Sequence, residues 1–346
     1  MIKKFSEILK IINGKNQKKV ESEHGKYPIY GSGGVMGRAD ESLCPRDTVV
    51  IGRKGNINNP LFVEEPFWNV DTAFGLVADQ EQLMPKYLYY FCKNFNFQSL
   101  STTVTIPSLT KANLLNIQLS LPTMDIQKVV VNKLDKISIL VDQYRGLLGL
   151  YDSIVKSRFI EMFGDTNNSM EWPIANVESI AKVKVGLVIK PTRFYSSSPT
   201  RYKAIRGLNI SPFCINDTNW VYFTEDGAKS NKKTEVKEND VVVVRSGAPG
   251  TAAVVTKEYA GSNAIDVLIV EPDLTQIDPT YLCAYTNFPH GLKQISKGSG
   301  GAAQKHFNVE KYKNLTIFIP PLEKQKLFSI EKKEIDKSKF ICLINA

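Results

Sequence analysis

The longest regular pattern of apolar positions runs from Pro122 to Gly164. Apolar side chains recur at every seventh position in three neighbouring rows, which is typical of a helix that packs along its length. Pro122 suits the first turn of a helix and Gly164 suits its end. At ~1.5 Å per residue the helix would be ~60 Å long, which favours a coiled-coil spacer over an ordinary core helix. The rows are Val130, Ile137, Tyr144 and Tyr151; Leu140, Leu147 and Ile154; and Leu134, Val141, Leu148, Val155 and Met162.

The residues before this helix carry shorter and mixed signals. A first helix is predicted over Lys3–Ile12 and another over Met84–Phe95, with Pro85 near its start. The pattern therefore indicates an α+β fold. Extended or strand segments are predicted at Tyr27–Arg38, which enters a glycine-rich turn, and at Thr48–Gly52, Phe74–Val77 and Asn116–Leu121.

The same order of signals returns after the long helix, as an internal repeat. Four matches in one order are hard to produce by chance, so we predict a chain built as domain, helix, domain, helix. The matching pairs are Thr48–Gly55 with Asp240–Gly247, Asp71–Ala73 with Asn263–Ile265, Pro85–Tyr90 with Pro279–Ala284, and Asn116–Pro122 with Asn314–Pro320, followed by Gln127–Lys128 with Gln325–Lys326. The predicted boundaries are 1–121 for the first domain, 122–164 for the first helix, 165–320 for the second domain and 321–346 for a shorter second helix.

Composition narrows the class of protein. A net charge of +9 and a pI near 9.1 favour an anionic partner, although many proteins are this basic. The N-terminus lacks a signal peptide and no stretch of about 18 apolar residues occurs, so we expect a cytoplasmic protein that does not span a membrane. The five cysteines form no C-x-x-C pair and only three histidines are present, so no metal site and no cofactor are expected.

Basic and polar turns at matching places in the two halves are candidates for DNA contact. Arginine can form a bidentate hydrogen bond with guanine, and asparagine can form one with adenine, while lysine mainly contacts phosphate. Each of these turns is about equally well explained as a solvated loop. The candidate residues are Arg53, Lys54, Asn56 and Asn58 in one turn, Arg245 and Ser246 in its counterpart, Ser108, Thr110 and Lys111 in the last loop of the first half, and Lys305 and His306 in the last loop of the second.

Enzymatic alternatives find little support. A phosphate-binding G-x-x-x-x-G-K-[ST] loop and the N/D-P-P-Y/F signature of amino-methylating enzymes are both absent. Asp226, Glu235 and Lys237 resemble a nuclease triplet, but Glu235 and Lys237 lie just before a polar turn that enters a strand. We therefore predict no catalytic residue. A free-standing DNA methyltransferase or nuclease, and a non-catalytic two-domain scaffold, remain as alternatives.

The repeated domains around a long helix resemble the specificity subunit of a Type I restriction–modification system. The resemblance rests on Tyr27–Arg38, on Val49–Gly55 with Val242–Gly247, and on Leu119–Gln127 with Ile317–Gln325, and it covers essentially the whole chain. It implies two target-recognition domains, each reading one half of a bipartite site in double-stranded DNA. It also implies antiparallel helices that set the gap, and docking of two methyltransferase subunits and of motor-nuclease restriction subunits.

The second helix departs from that family pattern because it is shorter than the first and rich in lysine. We therefore expect it to leave apolar surface uncovered around Leu147 to Phe159, for methyltransferase subunits or a second copy of this chain to cover. The candidate residues for the helix or partner interface are Leu140, Leu147, Leu148, Ile154, Val155 and Phe159.

Overall fold

The chain folds as two compact units, Met1–Gln143 (unit 1) and Tyr144–Ala346 (unit 2), in a computed structural model that describes residues 1–100, 108–298 and 307–344. The strands of unit 1 are β1 (Ile2–Lys4), β2 (Leu9–Asn13), β3 (Tyr27–Gly31), β4 (Gly34–Ala39), β5 (Thr48–Gly52), β6 (Leu61–Val63), β7 (Trp68–Asn69), β8 (Ala73–Ala78) and β9 (Gln118–Ser120). Its helices are α1 (Phe5–Ile8), α2 (Pro85–Asn94), α3 (Lys111–Leu115) and the start of α4 (Met124–Phe163).

Unit 2 repeats this plan with additional elements. Its strands are β10 (Ile174–Asn176), β11 (Ala181–Val185), β12 (Lys203–Ile205), β13 (Ile210–Ser211), β14 (Cys214–Ile215), β15 (Val221–Tyr222), β16 (Val241–Val244), β17 (Ala252–Val254), β18 (Asn263–Ala264), β19 (Val267–Pro272) and β20 (Thr316–Phe318). Its helices are the end of α4, then α5 (Val177–Ile180), α6 (Glu225–Ser230), α7 (Pro279–Asn287), α8 (Pro289–Gly298), α9 (Val309–Lys313) and α10 (Leu322–Ile344).

Sheet topology makes the repeat explicit. In unit 1 the strand orders are β2-β8-β5-β6, β4-β3-β7 and β1-β9; in unit 2 they are β11-β19-β16-β17, β15-β12-β18 and β10-β20. In both units the three-stranded sheet contains one parallel pair, β3 with β7 and β12 with β18. The predicted internal repeat and the α+β class are therefore confirmed. The hairpin β13-β14 belongs to unit 2 and has no counterpart in the first unit's described strands.

One of the repeat matches from sequence is displaced. It aligned Thr72 with Ala264, whereas the parallel pairs Tyr30–Asn69 and Ile205–Ala264 put Asn69 in the place of Ala264. The match is wrong because the loops around these short strands differ in length between the units.

The predicted helix over Lys3–Ile12 is also wrong. This segment forms β1, the single turn α1 and β2, because its ends pair with distant strands. Lys3 pairs with Leu119 in one sheet, and Ile11 pairs with Leu76 in another. Phe5 and Ile8 remain fully buried, so the apolar spacing serves the core without continuing as a helix.

The long helix is present as predicted. It covers Met124–Phe163, close to the expected 122–164, and α10 covers Leu322–Ile344. Within unit 2 the two helices run antiparallel, since Phe159 meets Phe328 while the earlier Arg158 pairs with the later Glu331. The guanidinium donates two hydrogen bonds to this carboxylate, at 2.7 Å and 2.8 Å, and these bonds lower the pKa of Glu331.

A buried glutamine ties the start of each long helix to its own unit. Gln127 accepts a hydrogen bond from the Met84 amide at 2.8 Å and donates to the carbonyl oxygens of Gln82 and Pro122 at 2.8 Å and 3.0 Å. Gln325 makes the same three bonds in unit 2, with the Asp278 amide and the carbonyls of Gln276 and Pro320. Both side chains are fully buried. We call each of these arrangements a glutamine clamp.

Candidate nucleic-acid interface

In unit 1, backbone hydrogen bonds gather several loops at one edge of the sheets. The Lys15 amide donates to the Asn69 carbonyl at 2.8 Å, and the Arg53 amide donates to the Thr72 carbonyl at 2.7 Å. The Leu109 amide in turn donates to the Arg53 carbonyl at 2.9 Å. The residues after β2, β3 and β5, those before β8, and Ser108–Leu109 therefore form one surface, the loop edge of unit 1.

Unit 2 builds the matching surface in the same way. The Leu187 amide donates to the Ala264 carbonyl at 2.8 Å, and the Ile265 amide donates to the Ile205 carbonyl at 2.8 Å. The Phe307 amide donates to the Arg245 carbonyl at 2.9 Å, which repeats the bond between Leu109 and Arg53. The residues after β11, β12 and β16, those before β19, and Phe307 form the loop edge of unit 2.

Close backbone contact at both edges depends on glycine. A Cβ atom on Gly14 would lie 1.7 Å from the Val70 carbonyl oxygen, and one on Gly186 would lie 2.4 Å from the Ala264 carbonyl oxygen. Both distances are far inside van der Waals contact. A side chain at either position would therefore push apart the strands that bring the loops together.

The two predicted arginines occupy matching places with different surroundings. Arg53 is exposed, its guanidinium lies 5.8 Å from the centre of the Phe74 ring, and it has no ion-pair partner among the described residues. Arg245 is half-buried, and its Nη1 lies 3.0 Å from Oδ1 of Asp266. Each arginine is followed two positions later by a glycine at positive φ, Gly55 at 74° and Gly247 at 84°.

The other candidates from the first unit divide into two groups. Lys54 and Lys111 are exposed, and Asn56 donates to the Ser32 carbonyl at 3.4 Å, so these side chains face the surface of the loop edge or its border.

Asn58 is held by the protein itself, because it donates to Asn96 and accepts from the Phe97 amide. Thr110 caps α3 by accepting from the Asn113 amide at 3.2 Å. Ser108 is half-buried and forms a bridge with Lys54.

In unit 2, Ser246 is half-buried beside Arg245. Lys305 and His306 lie outside the described residues, although the next residue, Phe307, is bonded to Arg245. Sequence reasoning missed Lys15 and Arg206, which lie at the two loop edges. Lys15 is the second residue after β2, and Arg206 is the first residue after β12. The run Lys15–Lys19 was a usable signal for the first of them, since three of its five residues are lysine.

The helix-interface candidates also differ in their surroundings. Val155 and Phe159 are buried in the core of unit 2, where Phe159 contacts Phe328 and Tyr281. The expectation that the surface from Leu147 to Phe159 is uncovered is therefore wrong at its C-terminal end. The physical reason is that α10 and the aromatic core of unit 2 together enclose the last turns of α4.

Uncovered apolar surface lies further towards the middle of α4. Leu140 is 51% exposed and Ile154 is 50% exposed, while Leu147 and Leu148 are half-buried. The exposed and half-buried apolar residues of α4, from Ile137 to Val141 in unit 1 and from Leu147 to Ile154 in unit 2, are called the apolar helix surface below. Its other exposed members are Ile139, Val141 and Leu150.

No helix among the described residues is both long and apolar enough to cross a membrane.

Comparison with known proteins identifies the family. The sequence profile of the Type I restriction modification DNA specificity domain matches residues 1–144 and 171–333. A Haemophilus influenzae protein assigned as a type I restriction enzyme specificity subunit is 21% identical over 337 residues, which are 93% of this chain and 84% of that protein. The specificity subunit of the Escherichia coli enzyme EcoBI is 19% identical over 309 residues, 82% of this chain and 65% of that protein.

A solved structure supports the same fold. The crystal structure of a Type-I restriction-modification system S subunit from M. genitalium superposes with a TM-score of 0.57 at 12% identity, over 99% of this chain and 93% of that chain. The profile matches occur twice, once in each unit, and together cover most of the sequence. The chain belongs to the family of Type I restriction–modification DNA specificity subunits.

Proposed function

We propose that each unit reads one half of a bipartite target in double-stranded DNA. The observation that carries this proposal is the repeated loop edge, which places an arginine after the same strand of the same sheet in both units. Two similar surfaces on one chain suit two separate stretches of DNA. The net charge of +9 favours association with the phosphate backbone at both.

Within each edge, the side chains divide into base readers and backbone contacts. We assign base contact to Arg53, Asn56 and Arg245, because their planar groups match the hydrogen-bonding edges of guanine and adenine. Lys54, Lys111 and Lys15 are assigned to phosphates, together with Ser108 and Ser246. Thr110 and Asn58 support the loop, since the side-chain oxygen of each accepts a hydrogen bond from a backbone amide of the protein. Lys305 and His306 are proposed contacts because they adjoin Phe307.

The helices are proposed to set the gap between the half-sites. Helix α4 is continuous through Met124–Phe163, so a change in its length changes how far apart its two ends lie. The glutamine clamps support this role, because each fixes the start of a helix to its unit through three hydrogen bonds. A helix that could turn freely against its unit would define no distance.

Chemistry on the DNA is assigned to partners. We propose that the apolar helix surface binds methyltransferase subunits, two per chain, and that motor-nuclease restriction subunits join that assembly. A row of exposed Leu, Ile and Val on a helix is unfavourable in water and is typical of a protein interface. A second copy of this chain is the other occupant that this surface would fit. The chain itself is proposed to transfer no methyl group and to cut no DNA.

The test is to map methylated sites produced by this chain with its methyltransferase partner. Arg53→Ala should relax or weaken one half of the target only, and Arg245→Ala the other half only, by ~1–3 kcal/mol if each contacts a base. Glu81, an exposed residue outside the loop edge, gives a matched control as Glu81→Ala. Equal effects of both arginine variants on both halves, or none on either, would contradict the assignment.

A further inference from the structure

The loop edges collect buried polar atoms that have no partner. Among the described residues, four buried side-chain nitrogen or oxygen atoms lack a hydrogen bond, and three of them belong to Asn69, Arg206 and Arg245. All three residues lie at the loop edges. Because native proteins satisfy nearly all such groups, the two exceptions at the loop edge of unit 2 point to a surface that is completed by something else.

Arg206 and Arg245 follow two strands of unit 2 whose ends are neighbours. Arg206 directly follows β12, and Arg245 directly follows β16. A Cβ atom on Gly207, the residue after Arg206, would lie 3.5 Å from Cγ1 of Val244, the residue before Arg245. Gly207 therefore lies next to the Val244 side chain, which makes the residues that adjoin the two arginines neighbours. Each guanidinium also has a buried Nε atom without a partner.

Each arginine is held from one end by a residue with left-handed backbone. Nη2 of Arg206 donates to the Asn219 carbonyl, and Nη1 of Arg245 donates to Oδ1 of Asp266 at 3.0 Å. Asn219 has a φ of 52° and Asp266 a φ of 50°, a region that Asn and Asp enter more readily than other side chains. The holding groups thus come from fixed turns, and they leave hydrogen-bonding capacity on both guanidinium groups.

The backbone under Arg206 is rigidly supported. Asn209 is fully buried, and its Oδ1 accepts from the Arg206 amide at 3.1 Å while its Nδ2 donates to the Thr218 carbonyl at 2.8 Å. Beside this support, Leu208 is 77% exposed and Ile189 is exposed on the neighbouring loop. A fixed arginine next to exposed apolar side chains is suited to a DNA base edge, where hydrogen-bonding atoms and thymine methyl groups alternate.

We infer that Arg206 is a second specificity-determining residue of unit 2, which reads a guanine beside the base pair contacted by Arg245. This inference rests on the proposed DNA-reading function of the loop edge. A guanine offers O6 and N7 as two acceptors in one plane, which matches the two donors of one face of a guanidinium. On binding, the Arg206 side chain exchanges its bond to the Asn219 carbonyl for those two acceptors.

The first unit has no equivalent arginine. The parallel strand pairs end at Tyr30 with Asn69 and at Ile205 with Ala264, so the position that matches Arg206 is Gly31. The inference therefore predicts that unit 2 reads a guanine through Arg206. Unit 1 has no arginine at the matching position, so it should not read a guanine in this way.

The test uses the full chain in complex with its methyltransferase partner. Arg206→Lys keeps the charge and the aliphatic stem but loses the planar fork, so it separates base reading from phosphate contact. Arg201→Lys is the matched control, because Arg201 precedes the same strand β12, is exposed and stacks on Tyr202. The measurements are the methylated motif in genomic DNA and binding to four duplexes that differ only at the mapped position.

The expected result is a wild-type motif with a guanine in the half assigned to unit 2 through Arg245→Ala. Arg206→Lys should then lower the preference for that guanine by about 10- to 100-fold, while the other half-site, the gap and the control variant remain unchanged. Three results would overturn the inference. The motif could remain unchanged in the Arg206 variants, or the half-site could contain no guanine. Arg206→Ala could also lower affinity for all four duplexes equally while Arg206→Lys retains wild-type affinity. A wild-type complex that yields no two-part motif would instead reject the proposed function itself.

Discussion

The glutamine clamps give the sharpest prediction about stability. Gln127→Ala removes one acceptor and one amide donor group, and it leaves the Met84 amide and the carbonyls of Gln82 and Pro122 without this partner. A buried backbone group that loses its hydrogen bond costs ~1–3 kcal/mol. Because parts of these groups are accessible to water once the side chain is removed, we expect a total loss of ~2–4 kcal/mol rather than the full sum.

Gln325→Ala should cost unit 2 about the same amount, ~2–4 kcal/mol, because its three bonds repeat those of unit 1. Gln127→Glu provides a sharper variant. It keeps an acceptor for the Met84 amide but places carboxylate oxygen against two carbonyl oxygens, so it should destabilise unit 1 at least as much as alanine does. Gln118→Ala is the control, since Gln118 is exposed on β9 of the same unit.

The assay is urea-induced unfolding combined with amide hydrogen exchange, which assigns each loss of protection to a unit. Each clamp variant should reduce protection in its own unit, first at the Met84 or Asp278 amide that loses its acceptor. The reasoning fails if the alanine variants cost less than ~0.5 kcal/mol, or if Gln127→Ala reduces protection in unit 2 instead of unit 1.

Three further predictions concern α4 and its surroundings. Val155→Glu should destabilise unit 2 by more than ~3 kcal/mol, because Val155 is buried, while Ile154→Glu should leave unfolding nearly unchanged and weaken capture of the methyltransferase partner; equal melting temperatures of the two variants would contradict this. Burial lowers the pKa of His290 below 6.5, so the folded state favours the neutral ring; its contribution to stability is complete above that pH and is lost as pH falls. Unit 2 should therefore lose stability in thermal unfolding as the pH falls below 6.5, and His290→Asn should reduce that slope. Four residues inserted after Tyr144 add ~6 Å to α4, and the methylated motif should keep both half-sites with a gap longer by about one or two base pairs; a changed half-site with the same gap would argue against a spacer.

Local sequence patterns predicted the elements whose conformation depends mainly on neighbouring residues in the chain. The strand Thr48–Gly52 and the helix around Pro85–Asn94 follow from runs of apolar residues with a proline at the helix start. The length of α4 follows from its apolar rows. The same rows did not show which part of α4 is covered, because Val155 and Ile154 are adjacent apolar residues and only the placement of α10 and α7 distinguishes them.

Long-range pairing explains most of what sequence reasoning missed. Lys3–Ile12 has helical spacing, but partners more than sixty residues away in the chain turn its ends into strands. Asn58 looks like a free polar turn residue until Asn96 and Phe97 fold onto it. Arg206 carried no sequence signal because the matching position of the first unit is Gly31, and its neighbour Gly207 comes next to the Val244 side chain only in the folded chain.

The comparison of the two units separates stability from recognition. The sheet orders, the parallel strand pair and the glutamine clamp are the same in both, so these features maintain the fold. The loop edges differ: unit 2 adds the hairpin β13-β14 and has Arg206 where unit 1 has Gly31, and Arg245 is held by an acid while Arg53 is exposed. On the proposal that the loop edges read DNA, two units with one framework and different edge donors are expected to read different sequences. Exchanging loop-edge residues between the units should therefore change the half-site sequences without loss of stability, whereas substituting a clamp glutamine should lower stability and leave the half-site sequences unchanged.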